Sequence, residues 1–261
     1  MSPERAKDVF SESNSFAHFQ RACMFQFLSQ GQRGCAASPW LPSAASAGRV
    51  AQIMTESLAE HYLADALQTF RDYKKLAERA FAQIGDEDFF KTLDEESNSI
   101  AVNMKHMAGN MISRWTDFLT TDGEKPERNR DIEFVMLPGT TKDDMLAYWE
   151  KGWRYVFDAI EPLQPEDLMR TIRIRGQDHT VIQAINRQLA HYAYHVGQIV
   201  YLAKHFRSSE WLSLSVPRNR SAEFNAYLET KMKGSKAARR EERLDEVMDF
   251  ARSNQLRSPE R

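Results

Sequence analysis

Cysteine is nearly missing from this chain: of 261 residues only Cys23 and Cys35 are cysteines. Two thiols near one end make neither a disulfide framework nor a thiolate zinc site, and they fit a reducing, cytoplasmic setting. Long apolar runs are missing as well; none approaches the ~18 residues of a membrane span. "ACMFQFL" near the start is too short and too interrupted for a secretory core. Nor is there an excess of one charge. With 35 basic and 37 acidic residues the formal charge is -2, which gives no electrostatic case for nucleic acid or an anionic membrane. What remains, 42% hydrophobic and 28% charged, is the composition of a folded globular chain.

Residues 1–53 differ in character from the rest. "GQRGCAASPWLPSAASAGR" has small residues and proline but no sustained period, so the segment reads as a flexible leader. Met54 is then a candidate true start. From there "MTESLAEHYLADALQTFRDYKKLAERAFAQIG" has helical periodicity, with Thr55 or Ser57 as cap and Gly85 as stop. A second helix is expected over 97–119. A third is "TTKDDMLAYWEKGWRYVFDAIEPL", capped by Thr140 or Thr141, with Asp143 and Asp144 suiting the first turn and Pro162 closing it. "LMRTIRIRGQDHTV" alternates around "RGQD" as a short β-hairpin does. The fourth helix covers roughly 180–206. The loop "TTDGEKPERNRD" reads as a solvated connector with a Gly123/Pro126 turn, and 221–261 as a charged, mostly solvated tail with one mixed-charge surface helix. The expectation is an all-α chain: a four-helix bundle over 54–220, a short β-hairpin before the fourth helix, and flexible N- and C-terminal extensions.

The fourth helix holds the first chemical signal. In "QLAHYAYHVGQIVYLAKHF", His191 and His195 lie about 40° apart around the axis, and Gln188 and Gln198 fall within about 60° of His191. This stripe borders the apolar face of Ile185, Leu189, Tyr192, Val196 and Ile199. The outer face, with Ala190, Tyr194, Gly197 and Tyr201, has one lysine only, so it too reads as covered, by a neighbouring helix or a second subunit. On the second helix, His106 stands in the same relation to its own core, in a row with Asn103 and Asn110 and with Arg114 at the border. Two helices so arranged can aim three imidazoles into one cavity, a donor set for zinc, nickel or iron with a position left open. The pair lacks the glutamate of HExxH, because Tyr192 fills that position, which argues against a zincin peptidase. His18, His61, His179 and His205 read as structural or incidental. Arg114 has a plain alternative too, a surface pair with Asp117, and Trp115, Trp149 and Trp153 are most simply core aromatics.

"HMAGNMISRWTDFLTTDGEKPERNRDIEF" and "INRQLAHYAYHVGQIVYLAKHF", in that order, resemble the DinB-like superfamily of metalloenzymes, and within it a small bacterial family without an assigned activity. The resemblance covers about 54–220. It implies a four-helix bundle whose divalent metal is held by one histidine of the second helix and an H-x-x-x-H pair of the fourth. Here those are His106, His191 and His195. Relatives in the superfamily include transferases that use low-molecular-weight thiols, an isomerase and metal-dependent hydrolases, and many dimerise. The implied function is a metal-dependent transferase or hydrolase acting on a small molecule. Asn103, Asn110, Gln188 and Gln198 then support the ligands or touch substrate, and Arg114 holds an anionic group. The alternative is a metal-binding or stress-associated interaction bundle without turnover.

Overall fold

A computed structural model describes residues 44–232 and 243–255, with side chains from 58 to 231 and from 245 to 253. The chain divides into two compact units, 1–51 and 52–261. Of the first, only helical backbone from Ala44 onward is described; most of the expected leader, with His18, Cys23 and Cys35, lies outside the described residues. The described residues are mostly helical with one two-stranded antiparallel hairpin. No helix among them is long and apolar enough to cross a membrane.

The first helix, α1 (Ala44–Phe81), starts upstream of the expected caps, so Thr55 and Ser57 lie inside it. A one-turn helix, α2 (Asp86–Phe90), follows Gly85. Next comes α3 (Ile100–Trp115), shorter at both ends than periodicity predicts. Ser99 caps it by accepting from the Val102 N–H. At its other end Thr116 is extended and Asp117 takes a φ of 44°, so the apolar spacing of Phe118 continues past a chain that is no longer helical. Thr141 caps α4 (Lys142–Ile160) in a reciprocal box with Asp144, as the sequence suggests. Thr180 and Gln183 do the same for α5 (Val181–Arg207).

Strands β1 (Thr171–Ile174) and β2 (Gln177–Thr180) pair in register Ile174↔Gln177. Arg175 and Gly176 turn the chain with φ of 56° and 73°, the doubly positive geometry of a tight hairpin. Ile172 and Ile174 face the core.

One apolar cluster takes side chains from α1, α3, α4 and α5. At its centre Phe70 lies 6.4 Å from Trp115, 6.3 Å from Trp153 and 5.7 Å from Tyr192, ring centre to ring centre. Trp115 Nε1 donates to the Tyr192 hydroxyl at 3.1 Å, and that hydroxyl donates to Asn110 Oδ1 at 3.3 Å. These bonds fix the register of α5 on α3 one residue from His191. Helices α3 and α4 approach closely: a Cβ on Gly152 would stand 2.8 Å from the Ala108 Cα.

The charged tail is not merely solvated. Helices α6 (Ser221–Met232) and α7 (Arg243–Gln255) meet through Phe224, Tyr227 and Phe250, and Met248, Phe250 and Ala251 are buried. Asp245 pairs with Lys75 and Arg79 of α1. Reading the tail as a solvated extension misses this because its apolar residues are few and set among many charges.

Candidate metal centre

His106 on α3 and His191 and His195 on α5 come together, each offering one ring nitrogen within 4.8 Å of the others. His106 and His195 are buried, and His191 is partly exposed. The second shell of contacts decides which nitrogens are offered. His195 Nδ1 lies 3.0 Å from Asn103 Oδ1, His191 Nδ1 3.3 Å from Gln188 Oε1, and His106 Nδ1 2.8 Å from Glu133 Oε2. Those oxygens carry no proton, so each Nδ1–H donates and each Nε2 keeps a lone pair directed inward.

The Nε2 atoms of His191 and His195 are 3.2 Å apart. Two lone pairs at that distance repel unless something positive lies between them. A proton does not serve at neutral pH. Burial, then the neighbouring His106 and the arginines 114, 128 and 187, push His191 down to about 4. Burial, then His191 and His106, push His195 down to about 3. A divalent cation does serve: two nitrogens each about 2.1 Å from a tetrahedral ion lie about 3.4 Å apart. The donor set therefore fits a metal ion, and these three residues could hold one.

Asn103 and Asn110 are buried rather than on an exposed polar face. Asn103 is anchored by its amide N–H to Ser99 O, while Asn110 meets Tyr192 and no histidine. Gln188 is buried against His191; Gln198 is exposed, hydrogen-bonds His195 and lines a separate surface hollow with Asn103. Among the described residues the outer face of α5 is uncovered: Tyr194 is 53% and Tyr201 61% exposed, and none of them comes within 4 Å of a Cβ on Gly197.

Two readings of charged residues need correction. Arg114 does not pair with Asp117 at the surface; it is buried, 3.8 Å from Glu124, because the helix ends at Trp115 and Asp117 turns away. And the connector "TTDGEKPERNRD" is not simply solvated. Asp122 accepts from the N–H groups of Arg175 and Gly176 at 2.8 and 2.7 Å, tying the connector to the hairpin tip. Gly123 lies so close to Arg114 that a Cβ would come within 2.8 Å of it. The connector then delivers Arg128 and, on the following 3₁₀ turn, Glu133 to the buried side of His106.

Glu133 and Arg128 are the residues that sequence reasoning missed. Arg128 Nε and NH2 donate to the two oxygens of Glu133 at 2.8 and 2.9 Å. Burial raises the Glu133 carboxyl, but bonds from His106 and Arg128 outweigh it and hold the group below the usual carboxylate range. The available signal was chemical: a metal-ligating imidazole needs an acceptor for its other N–H.

A cavity of about 410 Å³ opens beside His106 and His191, bordered also by Asn110, Gln188 and Arg114. The geometry offers three imidazole nitrogens next to a space of small-molecule size. No curated protein and no solved structure matches the chain. Residues 57–220 match the family described as "Protein of unknown function (DUF1572)", and the chain belongs to that family.

Proposed function

We propose that the chain is a divalent-metal enzyme of DinB-like, four-helix-bundle architecture, a transferase or hydrolase acting on a small molecule. The observation that carries this reading is the arrangement of the imidazoles: three Nδ1–H groups are committed to oxygen acceptors, and the lone pairs of His191 and His195 face each other at 3.2 Å. The ligands are His106, His191 and His195. A divalent ion bound there supplies Lewis acidity and makes a water or thiol nucleophilic near neutral pH. Asn103, Gln188 and Glu133 hold the rings in orientation and fix their tautomers. The Glu133 carboxylate also offsets part of the positive charge at the site.

The adjoining cavity favours catalysis over a purely structural ion, since structural sites are closed by protein ligands and catalytic ones keep an open position. The test is elemental analysis of protein purified without a histidine tag, alongside His191→Ala. Near-stoichiometric metal in the parent and its loss in the variant are expected; equal metal content in both refutes the ligand assignment. Hydrolase and thiol-transfer assays with and without chelator then separate turnover from mere binding.

A further inference from the structure

The cavity beside the histidines has a lining out of keeping with the chain's overall charge of -2: Arg114, Arg128, Arg130, Arg175 and Arg187 all border it, and among the described residues no carboxylate does. They come from four places in the fold: α3, the connector, the hairpin tip and α5. Their compensation is incomplete. Glu124 alone serves Arg114 at 3.8 Å, Arg128 at 3.1 Å and Arg175 at 3.4 Å. Glu133 is shared between Arg128 and His106. Among the described residues neither Arg130 nor Arg187 has a carboxylate within ion-pair distance; Arg130 lies over the Phe134 ring instead. Five guanidiniums border the hollow, their ion pairs come from Glu124 and Glu133 alone, and Asp122 adds one further negative charge near Arg114, so positive charge predominates there.

Arg114 is the sharpest element. Its side chain is only 4% exposed, yet among the described residues Nε and Nη1 have no hydrogen-bond partner. A buried guanidinium with idle donors is costly to keep, and an oxyanion is its natural complement because the planar fork matches two oxygens at once. Gly123 closes the connector over this side chain, so Arg114 is held in place rather than free to reach solvent.

We propose that the cavity binds a small molecule carrying at least two oxyanion groups, carboxylates or phosphates, one met by Arg114 in the interior and another by Arg130 and Arg187, which are exposed at its edge. The assignment deepens the metal-enzyme reading by naming the substrate class. It rests on that reading for the reacting centre alone, since the arginines define an anion site with or without a metal.

The experiment is calorimetric titration of the untagged full chain with acetate, succinate and tricarballylate in one series and inorganic phosphate and pyrophosphate in another. It is repeated on Arg114→Met, Arg187→Ala and the metal-depleted His191→Ala. Within a series, affinity is expected to rise with the number of anionic groups, and the tighter series identifies the oxyanion. Arg187→Ala, at an exposed position, is expected to weaken the multivalent ligands about tenfold or more while leaving metal content unchanged. His191→Ala is expected to retain the preference for multivalent anions. Equal affinity for mono- and dianions, no effect of either arginine variant, or anion binding that vanishes only with the metal would overturn the proposal. Loss of metal binding in the parent with anion binding intact would instead overturn the metal reading and leave this one standing.

Discussion

Glu133 Oε2 accepts a hydrogen bond from His106 Nδ1 at 2.8 Å across 27 residues of chain, and Arg128 grips the same carboxylate from its other side. The pairing joins α3 to the 3₁₀ turn Asp131–Phe134 that follows the connector. It sets the tautomer of His106 and positions the ring, two effects that would reach an ion through the imidazole.

Replacing that carboxylate while keeping its shape isolates these effects. Glu133→Gln is expected to lower metal affinity by about 10–100-fold, the usual range for an outer partner of a ligating histidine. Competition against a chromophoric chelator reads this directly. An affinity equal to that of the parent would mean the connector merely packs against the ring.

Gly109→Ala gives an independent handle on the same contact. Alanine is the better helix former by about 1 kcal/mol, so in an indifferent setting the change stabilises α3. Here the new Cβ collides with Glu133 Oε1 and comes within 2.8 Å of its Cδ. The carboxylate must move away from His106. Metal affinity is therefore expected to fall toward that of Glu133→Gln, with the double variant scarcely worse than either single one, as for two changes acting through one contact. Additive losses in the chelator competition would contradict that route.

How far these features can be read from sequence depends on whether they leave a period. The convergence of His106 with His191 and His195 is legible, because ring positions on two amphipathic helices follow from about 100° per residue. The Arg175–Gly176 turn and the Thr141 cap are legible because their chemistry is local; the Thr180 cap has the same local chemistry but is not among the expected caps. Arg128 and Glu133 are not: they sit five apart in an aperiodic stretch, and only the tertiary path of the connector turns them inward. Arg114 was misread for a related reason. Helical spacing places Asp117 beside it, but the helix has already ended at Trp115.

Acid should weaken the metal-free fold. Burial first, and neighbouring ionisable groups second, hold His191 at about 4 and His195 at about 3 against an ordinary value of 6.5. Around His191 those groups are His106 and Arg114 on α3, Arg128 on the connector and Arg187 on α5; around His195 they are His191, His106 and Arg130, with Gln198 acting in the opposite sense. Below about pH 6.5 the unfolded chain takes up protons that the folded one refuses, so stability is full above that pH and declines as it falls toward 4. Thermal melts of chelator-treated protein between about pH 7.5 and 5.5, above the range where ordinary carboxyls titrate, should show a falling midpoint. The slope should be shallower in His191→Leu. Identical slopes in the two proteins would show that other groups govern the decline.

The C-terminal helices can be separated from the metal centre by a single aromatic. Phe250 is 4% exposed, with ring centres of Phe224 and Tyr227 at 5.1 and 5.4 Å, and it is the main apolar side chain by which α7 meets α6, beside the Lys231–Glu246 ion pair. Asp245, five residues earlier, ties α7 to Lys75 and Arg79. None of the hydrogen bonds that orient the three histidines involves α6 or α7. Phe250→Ala removes a buried ring, a change that costs about 3–5 kcal/mol in a well-packed core. The loss should fall on local opening of these two helices, because α6 and α7 hold to the rest through few contacts of their own. Hydrogen exchange is expected to accelerate across α6 and α7 while the amides of α3 and α5 and the metal content stay as in the parent. Exchange rising equally in α3 would show instead that the tail is part of the same cooperative unit that holds His106.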